Sequence, residues 1–405
     1  MANIYLDNNA TTIVDPLVVE AMLPFFTDQY GNPSSMHSFG AQVGKALHQA
    51  RRQVLDLLGA AHNSEIIFTS CGSEADVTAI TSSLKAQPER REIITTAVEH
   101  PAVLNTCRAL AKRGYTVHFL KVDKQGRLDL NEYCRLLSRQ VAIVSIMWAN
   151  NETGTLFPVE TMAEIAHAAG VMFHTDAVQA VGKLPINLKN TQIDMLSLSG
   201  HKLHAPKGIG VLYLRRGTPF QPLLHGGHQE RGRRPGTENT AAIVGLGKAA
   251  ELAMLHLDFA MTAIKTMRDR LQRGILAAVP YAFVTGDPNN RLPNTVNIAF
   301  AYVEGEELLL MLDRHGIAVS SGSACTSGSL EPSHVMLAMG IPHTAVRGTT
   351  RFSLSRFNTL DEVERVIRII PPIVDRLRKL SPEWGNHASV MHFNKFFEPA
   401  SYVSG

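Results

Sequence analysis

Short apolar runs alternate with longer amphipathic ones through the first two-thirds of the chain. The short runs, at 65–69, 92–97, 116–122, 141–147, 171–176, 193–199 and 210–214, are rich in β-branched and aromatic residues and have the length of strands. Between them, 72–84, 102–113 and 158–169 carry helical spacing, and in the last Met162, Ile165, Ala166 and Ala169 fall on one face. That alternation predicts βαβ units and a mostly parallel sheet covered on both sides. Ligands of such sheets sit at the carboxyl ends of the strands.

Near residue 240 the pattern changes to one long helix, from 240 to about 278, read as the bridge into a smaller α+β domain. Strand candidates follow at 294–300, 318–320 and 350–355. Thr359-Leu360-Asp361-Glu362 is a capping box, opening a helix with Val363, Val366, Ile367 and Ile370 inside. Pro371-Pro372 is expected to break or kink that helix, and the tail after Trp384 to be loosely held. The expected division is a large domain at 14–257 and a small one made of 1–13 and 258–405.

Two of the strands end in residues a core does not need. Ile193, Met195, Leu196 and Leu198 lead into Ser199-Gly200-His201-Lys202, so a lysine stands just past a buried strand. A lysine withdrawn from water loses its proton more readily, and only the neutral amine forms a Schiff base. Ser199 and His201 beside it supply donors for an anion. The run Val171–Ala177 likewise delivers Asp176, and a buried carboxylate of this kind keeps a pyridine nitrogen protonated. Alone, Asp176 reads equally well as a helix cap and Lys202 as a surface ion-pair partner. Together, at strand ends 26 residues apart, they favour pyridoxal 5'-phosphate. Phe68-Thr69-Ser70-Cys71-Gly72-Ser73 reads as strand, turn and helix start, with Ser73 as the cap and free amides suited to a phosphate.

Composition narrows the classes. Hydrophobic residues make up 45% of the 405 and charged ones 19%, as in ordinary globular proteins. A net charge of +3 argues for neither nucleic acid nor membrane partners. Without a basic leader, or any apolar run near the roughly 20 residues of a membrane helix, a cytoplasmic protein is expected. Cys71, Cys107, Cys134 and Cys325 form no CxxC pair, so no metal site is expected; Cys107 and Cys134 read as helix packing. Cys325 differs, lying in the Gly/Ser-rich stretch Ser320-Ser321-Gly322-Ser323-Ala324-Cys325-Thr326, which reads as a flexible loop.

These segments resemble the aminotransferase class V group of pyridoxal phosphate enzymes, and more narrowly the cysteine desulfurases. The resemblance runs from about residue 4 to about 385 and is carried also by Tyr5–Thr12, Gly31–Ser35, Glu99-His100, Asn150-Asn151-Glu152 and Arg231–Thr237. It implies the fold type I of pyridoxal-phosphate-dependent transferases, aspartate aminotransferase-like, with a mostly parallel seven-stranded sheet in the large domain. It implies that Lys202 carries the cofactor, that Asp176 faces the ring nitrogen, and that Gly72, Ser73, Ser199 and His201 hold the phosphate. Thr237 would reach the phosphate of a neighbouring subunit in a homodimer. Asn151 and Gln179 would contact the ring oxygen and its surroundings, and His100 would stack on the ring and move protons. Arg351, assisted by Asn32, would clamp the substrate carboxylate, because a guanidinium fixes a carboxylate by two parallel hydrogen bonds. Cys325 would take sulfur from L-cysteine as a persulfide, leaving L-alanine. One position departs from the family pattern: Val77 stands where an asparagine is usual after Glu-x-Asp.

Met147–Gly154 and Gly227–Arg234 resemble the nitrogen-fixation type, which implies delivery of sulfur to an iron–sulfur scaffold or other acceptor protein for nitrogenase clusters. The alternatives, a selenocysteine lyase or another class V aminotransferase-like enzyme, would keep Lys202 and Asp176 without needing Cys325.

Overall fold

The computed structural model describes residues 3–321 and 332–384. A two-residue strand, Ile4–Tyr5 (β1), opens the chain. The strands of the main sheet follow: Ile66–Thr69 (β2), Glu92–Thr96 (β3), Thr116–Leu120 (β4), Val141–Ser145 (β5), Met172–Asp176 (β6), Met195–Ser199 (β7) and Gly210–Leu214 (β8). They form a seven-stranded sheet in the order β2-β8-β7-β6-β5-β3-β4. Pairings from β7 through to β4 are parallel, while β8 runs antiparallel to both β7 and β2. The reversal has a simple cause. A parallel return needs a crossover of about a dozen residues or more, and the link 200–209 is too short for one. That link carries Lys202.

Every residue of β5, β6, β7 and β8 is buried, as expected of strands covered on both faces. The polar exceptions, Ser145, His174, Thr175, Asp176, Ser197 and Ser199, are therefore buried at a cost that only hydrogen bonds or function can offset.

Ala282–Thr285 (β9), Thr295–Phe300 (β10), Ile317–Ala318 (β11), Ser320–Ser321 (β12) and Thr349–Ser353 (β13) complete the strands among the described residues. β1 pairs with β11, and the rest form an antiparallel sheet ordered β12-β13-β10-β9. The segment after β1 ties the two sheets together. The Asn9 amide donates to Ser353 Oγ at 2.9 Å, and the Thr12 amide reaches the His201 carbonyl at 3.1 Å.

Several expectations need correction. The run 240–278 is not one helix: Thr240–Leu255 is followed by a bend of 58° into Leu257–Ala278. His256 leaves helical geometry there (φ −100°, ψ 9°). Before the bend, Leu246, Ala249 and Ala250 pack in the core under the large sheet; after it, Ile264, Leu271 and Ile275 pack in the core of the second sheet. One segment thus serves two cores, which a straight rod could not. The helix Leu360–Leu380, by contrast, runs unbroken through Pro371-Pro372. Burial of Val363, Val366, Ile370, Ile373, Val374 and Leu377 on one face outweighs the lost backbone donors. In Val159–Ala168 the buried face is Val159, Met162, Ala163 and Ala166; Ile165 is half-buried and Ala169 exposed. The helix Ser38–Leu58, absent from the sequence reading, buries Val43, Leu47, Ala50, Val54 and Leu58. It packs closely on Thr240–Leu255, where a Cβ at Gly247 would lie 2.6 Å from Ala50 Cα. No single helix among the described residues is long and apolar enough to cross a membrane.

Candidate active site

A cavity of about 240 Å³ opens where β6 and β7 end. Asp176, Lys202, His100 and Gln179 all line it. So do Gly72, Ser73, Asn151, Ser199 and His201, so nine of the residues singled out in the sequence meet in one place.

Asp176 is the last residue of β6 and is 6% exposed. Its Oδ1 accepts the Val178 amide at 2.9 Å, which fixes the carboxyl without neutralising it. Burial raises its pKa, while the nearby His100, the Val178 amide and Lys202 act in the opposite direction. His100 caps the helix Pro101–Ala111, its Nδ1 accepting the Ala102 amide at 3.2 Å. The neutral ring therefore carries its proton on Nε2. Burial lowers the pKa of His100, favouring that neutral form.

Lys202 ends the 3₁₀ turn Gly200–Lys202 that follows β7. Its Nζ donates to the carbonyls of Asn9 at 2.5 Å and Ala10 at 2.6 Å. Gly72 and Ser73 lie at the start of Gly72–Ala86, whose first-turn amides have no intrahelical acceptor. Cys71, not Ser73, caps this helix. It is extended (φ −170°), its Sγ accepting the Glu74 amide at 3.4 Å, which leaves exposed Ser73 in the first turn. Gly72 is required for the close approach, since a Cβ there would stand 2.9 Å from Val178 Cγ2. His201 contacts Thr11 Oγ1 at 3.1 Å, and burial together with the Lys202 charge pushes its pKa down to about 4. It is thus a neutral neighbour for an anion.

Other expected residues stand apart. Arg351, on β13 and 2% exposed, does not line the cavity. It lies behind Asn151, donating to that carbonyl and to Asp7 Oδ1, both at 2.9 Å. Its Nε is buried with no hydrogen-bond partner among the described residues. Asn32 is exposed and spends its Oδ1 on the Ser34 amide at 2.9 Å. Thr237 is exposed at a separate cavity of about 220 Å³ shared with Arg234 and Ser70. Cys325 lies outside the described residues, as does the tail after Trp384. Cys107 is fully buried and burial pushes its thiol up to about 12, in keeping with packing; Cys134 is exposed, contrary to that reading.

The structure adds residues to which the sequence assigned no role. Asn9 and Asp76 line the cavity, and Lys183 stands behind it. Beneath Asp176, the fully buried His174 bridges Ser145 Oγ and Ser197 Oγ, each at 2.9 Å. Burial pushes that imidazole down to about 3, so it is neutral. Asp76, 1% exposed, approaches His174 Nε2 at 3.7 Å. Burial and the charge of Asp176 raise its carboxyl far above the ordinary range. One signal was legible: polar residues at consecutive inward positions of apolar strands are rarely idle.

The donor set fits a phosphorylated pyridine aldehyde. A buried carboxylate, a lysine amine, and a helix start with glycine closely packed against Val178 and Ser199 all face one cavity.

Comparison with known proteins gives the same picture. Residues 4–366 match the Aminotransferase class-V family. The chain is 67% identical over 399 residues to "Cysteine desulfurase NifS" of Azotobacter vinelandii, covering 98% of this chain and 99% of that one. Among solved structures it resembles a "NIFS-LIKE PROTEIN" at 38% identity and a TM-score of 0.87, covering 93% of this chain and 100% of the other. It also resembles "SspA in complex with cysteine" at 35% identity and a TM-score of 0.78, covering 88% and 99% of the two chains.

Proposed function

The chain belongs to the aminotransferase class V family and, within it, to the cysteine desulfurases; from that premise we propose that it converts L-cysteine to L-alanine and passes the sulfur on through Cys325. The observation that carries the reading is the single cavity that gathers Lys202, Asp176, His100 and Gln179 at the ends of two adjacent strands. Its cofactor is pyridoxal 5'-phosphate, which when bound supplies an aldehyde for the substrate amine and a ring that stabilises negative charge at the substrate Cα.

The protein's part is division of labour. Lys202 Nζ would hold the cofactor and, as a free amine, would accept the substrate Cα proton. Asp176 holds a proton on the ring nitrogen. The first amides of Gly72–Ala86, with Ser199 and His201, hold the phosphate. Gln179 and Asn151 orient the ring oxygen. His100, with its proton on Nε2, moves protons on one face of the cavity. Arg351 takes the substrate carboxylate, which requires it to exchange its present contacts with Asp7 and the Asn151 carbonyl; Asn32 assists. The Cys325 thiolate attacks the substrate sulfur, forming an S–S bond as the Cβ–S bond breaks. The electron pair of the broken bond stays with Cβ, which takes up a proton, and Cα regains the one that Lys202 accepted, so cysteine and thiol become alanine and persulfide.

Thr237, exposed beside Arg234, serves the phosphate of a second copy in a homodimer. Arg234 Nε donates to Glu74 Oε1 at 2.9 Å, which ties that region to the helix holding the phosphate. The sulfur acceptor is an iron–sulfur scaffold protein of nitrogenase cluster assembly, in line with the naming of the relative. Thiol chemistry of this kind belongs to a reducing compartment, the cytoplasm.

Alanine formation from L-cysteine by the purified protein and by its Cys325→Ala variant tests the reading. Alanine from the parent and almost none from the variant supports it. Equal alanine from both removes Cys325 from the reaction and makes a lyase the better description.

A further inference from the structure

Lys183 is 9% exposed, and no step above uses it. A long cation is rarely buried without a task. It lies behind Gln179, and its Nζ donates to Gln179 Oε1 at 2.8 Å. An ammonium group only donates, so the amide oxygen is held toward Lys183 and the NH2 group is turned the other way. That NH2 group donates to the Asn9 carbonyl at 3.0 Å, the same carbonyl that accepts from Lys202 Nζ at 2.5 Å. Lys183, Gln179, Asn9 and Lys202 therefore form one continuous chain of hydrogen bonds. Asn9 itself is fixed: its Nδ2 donates to Thr295 Oγ1 at 2.9 Å and its amide to Ser353 Oγ at 2.9 Å. The Gln179 amide is thus held at both ends, its oxygen by Lys183 and one N–H by the Asn9 carbonyl.

We propose that Lys183 is a positioning residue that locks the Gln179 side-chain amide with its second N–H available to the cavity, where the oxygen beside the cofactor ring needs a donor. The inference rests on the cofactor reading above and deepens it. Other charged or titratable groups face Lys183 from the packed elements: Lys202, Arg351, His201 and His204. Burial first, then Lys202 and Arg351, push its pKa down to about 7. A positive Lys183 in turn disfavours a second positive charge at Lys202 Nζ.

The test reads the cofactor, not turnover. The visible absorbance of the holoprotein is titrated with pH, and cofactor release is measured by equilibrium dialysis, for the parent, Lys183→Met and Lys183→Gln. In Lys183→Met the amide is held only by its bond to the Asn9 carbonyl, and the neighbouring cation is gone. Both losses favour the protonated chromophore, so its midpoint moves to higher pH, and cofactor binding weakens about tenfold, the equivalent of one hydrogen bond. Lys183→Gln restores a donor to Gln179 and recovers most of the affinity. A Lys183→Met protein with the parent's midpoint and affinity overturns the proposal. So does a Lys183→Gln protein no better than Lys183→Met. A parent that shows no visible band, and is not fixed by borohydride, fails the cofactor reading itself.

Discussion

Asp176 and Lys202 stand at or just past the ends of strands of the seven-stranded sheet and line the cavity directly, whereas Arg351, in the middle of β13 on the four-stranded sheet, is sealed behind Asn151. The two regions show two ways of keeping a charge inside a protein. At a strand end the backbone has finished its ladder, and a side chain there is aimed outward by the sheet with little other support. In mid-strand an ionised side chain is surrounded by core, so it must be paired or pay the cost of burial. Arg351 is paired, with Asp7 at 2.9 Å. If Arg351 takes the substrate carboxylate as proposed, it does so by exchange, with Asp7 as the group replaced.

Removing Lys202 breaks the strand-end side most severely. Lys202→Ala should reduce alanine formation by at least about 10³-fold, the scale of a lost proton-transfer group, and borohydride should no longer fix cofactor to the chain. Alanine formation within about tenfold of the parent's would refute the assignment. Arg351→Ala probes the other side: the cofactor spectrum should be unchanged while KM for L-cysteine rises about 100-fold, as for a truncated buried charge pair. An unaltered KM would place the carboxylate elsewhere.

A smaller effect sharpens how burial tunes the strand-end side. Glu99, next to His100, is fully buried, and burial raises it to about 8 from an ordinary 4.5 despite hydrogen bonds from Thr96 Oγ1 and the Met147 amide. The folded protein thus keeps a proton that the unfolded chain gives up. Stability linked to Glu99 is full below the unfolded value and declines as pH rises from about 4.5 to about 8. Glu99→Gln keeps the accepting oxygen and removes the titration. Its urea midpoint should fall less between these pH values than the parent's, and identical slopes would show that Glu99 is ionised in the fold.

The chemistry that the sequence exposed is local in origin. Lys202 and Asp176 each follow an apolar run, and burial of such a run is enough to mark its last polar residue as unusual. The same holds for the capping box at Thr359 and Glu362, observed as read, since a cap is a contact across one turn. The cap at Cys71 was misread because one residue of extended backbone moves the helix start, and sequence fixes such ends only loosely. Lys183 and Asp76 were overlooked because nothing near them in the chain tells whether their side chains point inward.

By itself, then, the order of residues determined the alternation of strands and helices, the mostly parallel sheet, and which strand ends bear polar and ionisable groups, because these follow from periodicity over a handful of neighbours. Only the tertiary structure decided that Asn9 meets Lys202 across 193 positions, that Arg351 lies behind Asn151, and that a helix bends by 58° to serve two cores. Those are outcomes of packing between distant segments, where the free energy depends on which surfaces fit and not on which residues are adjacent in the chain.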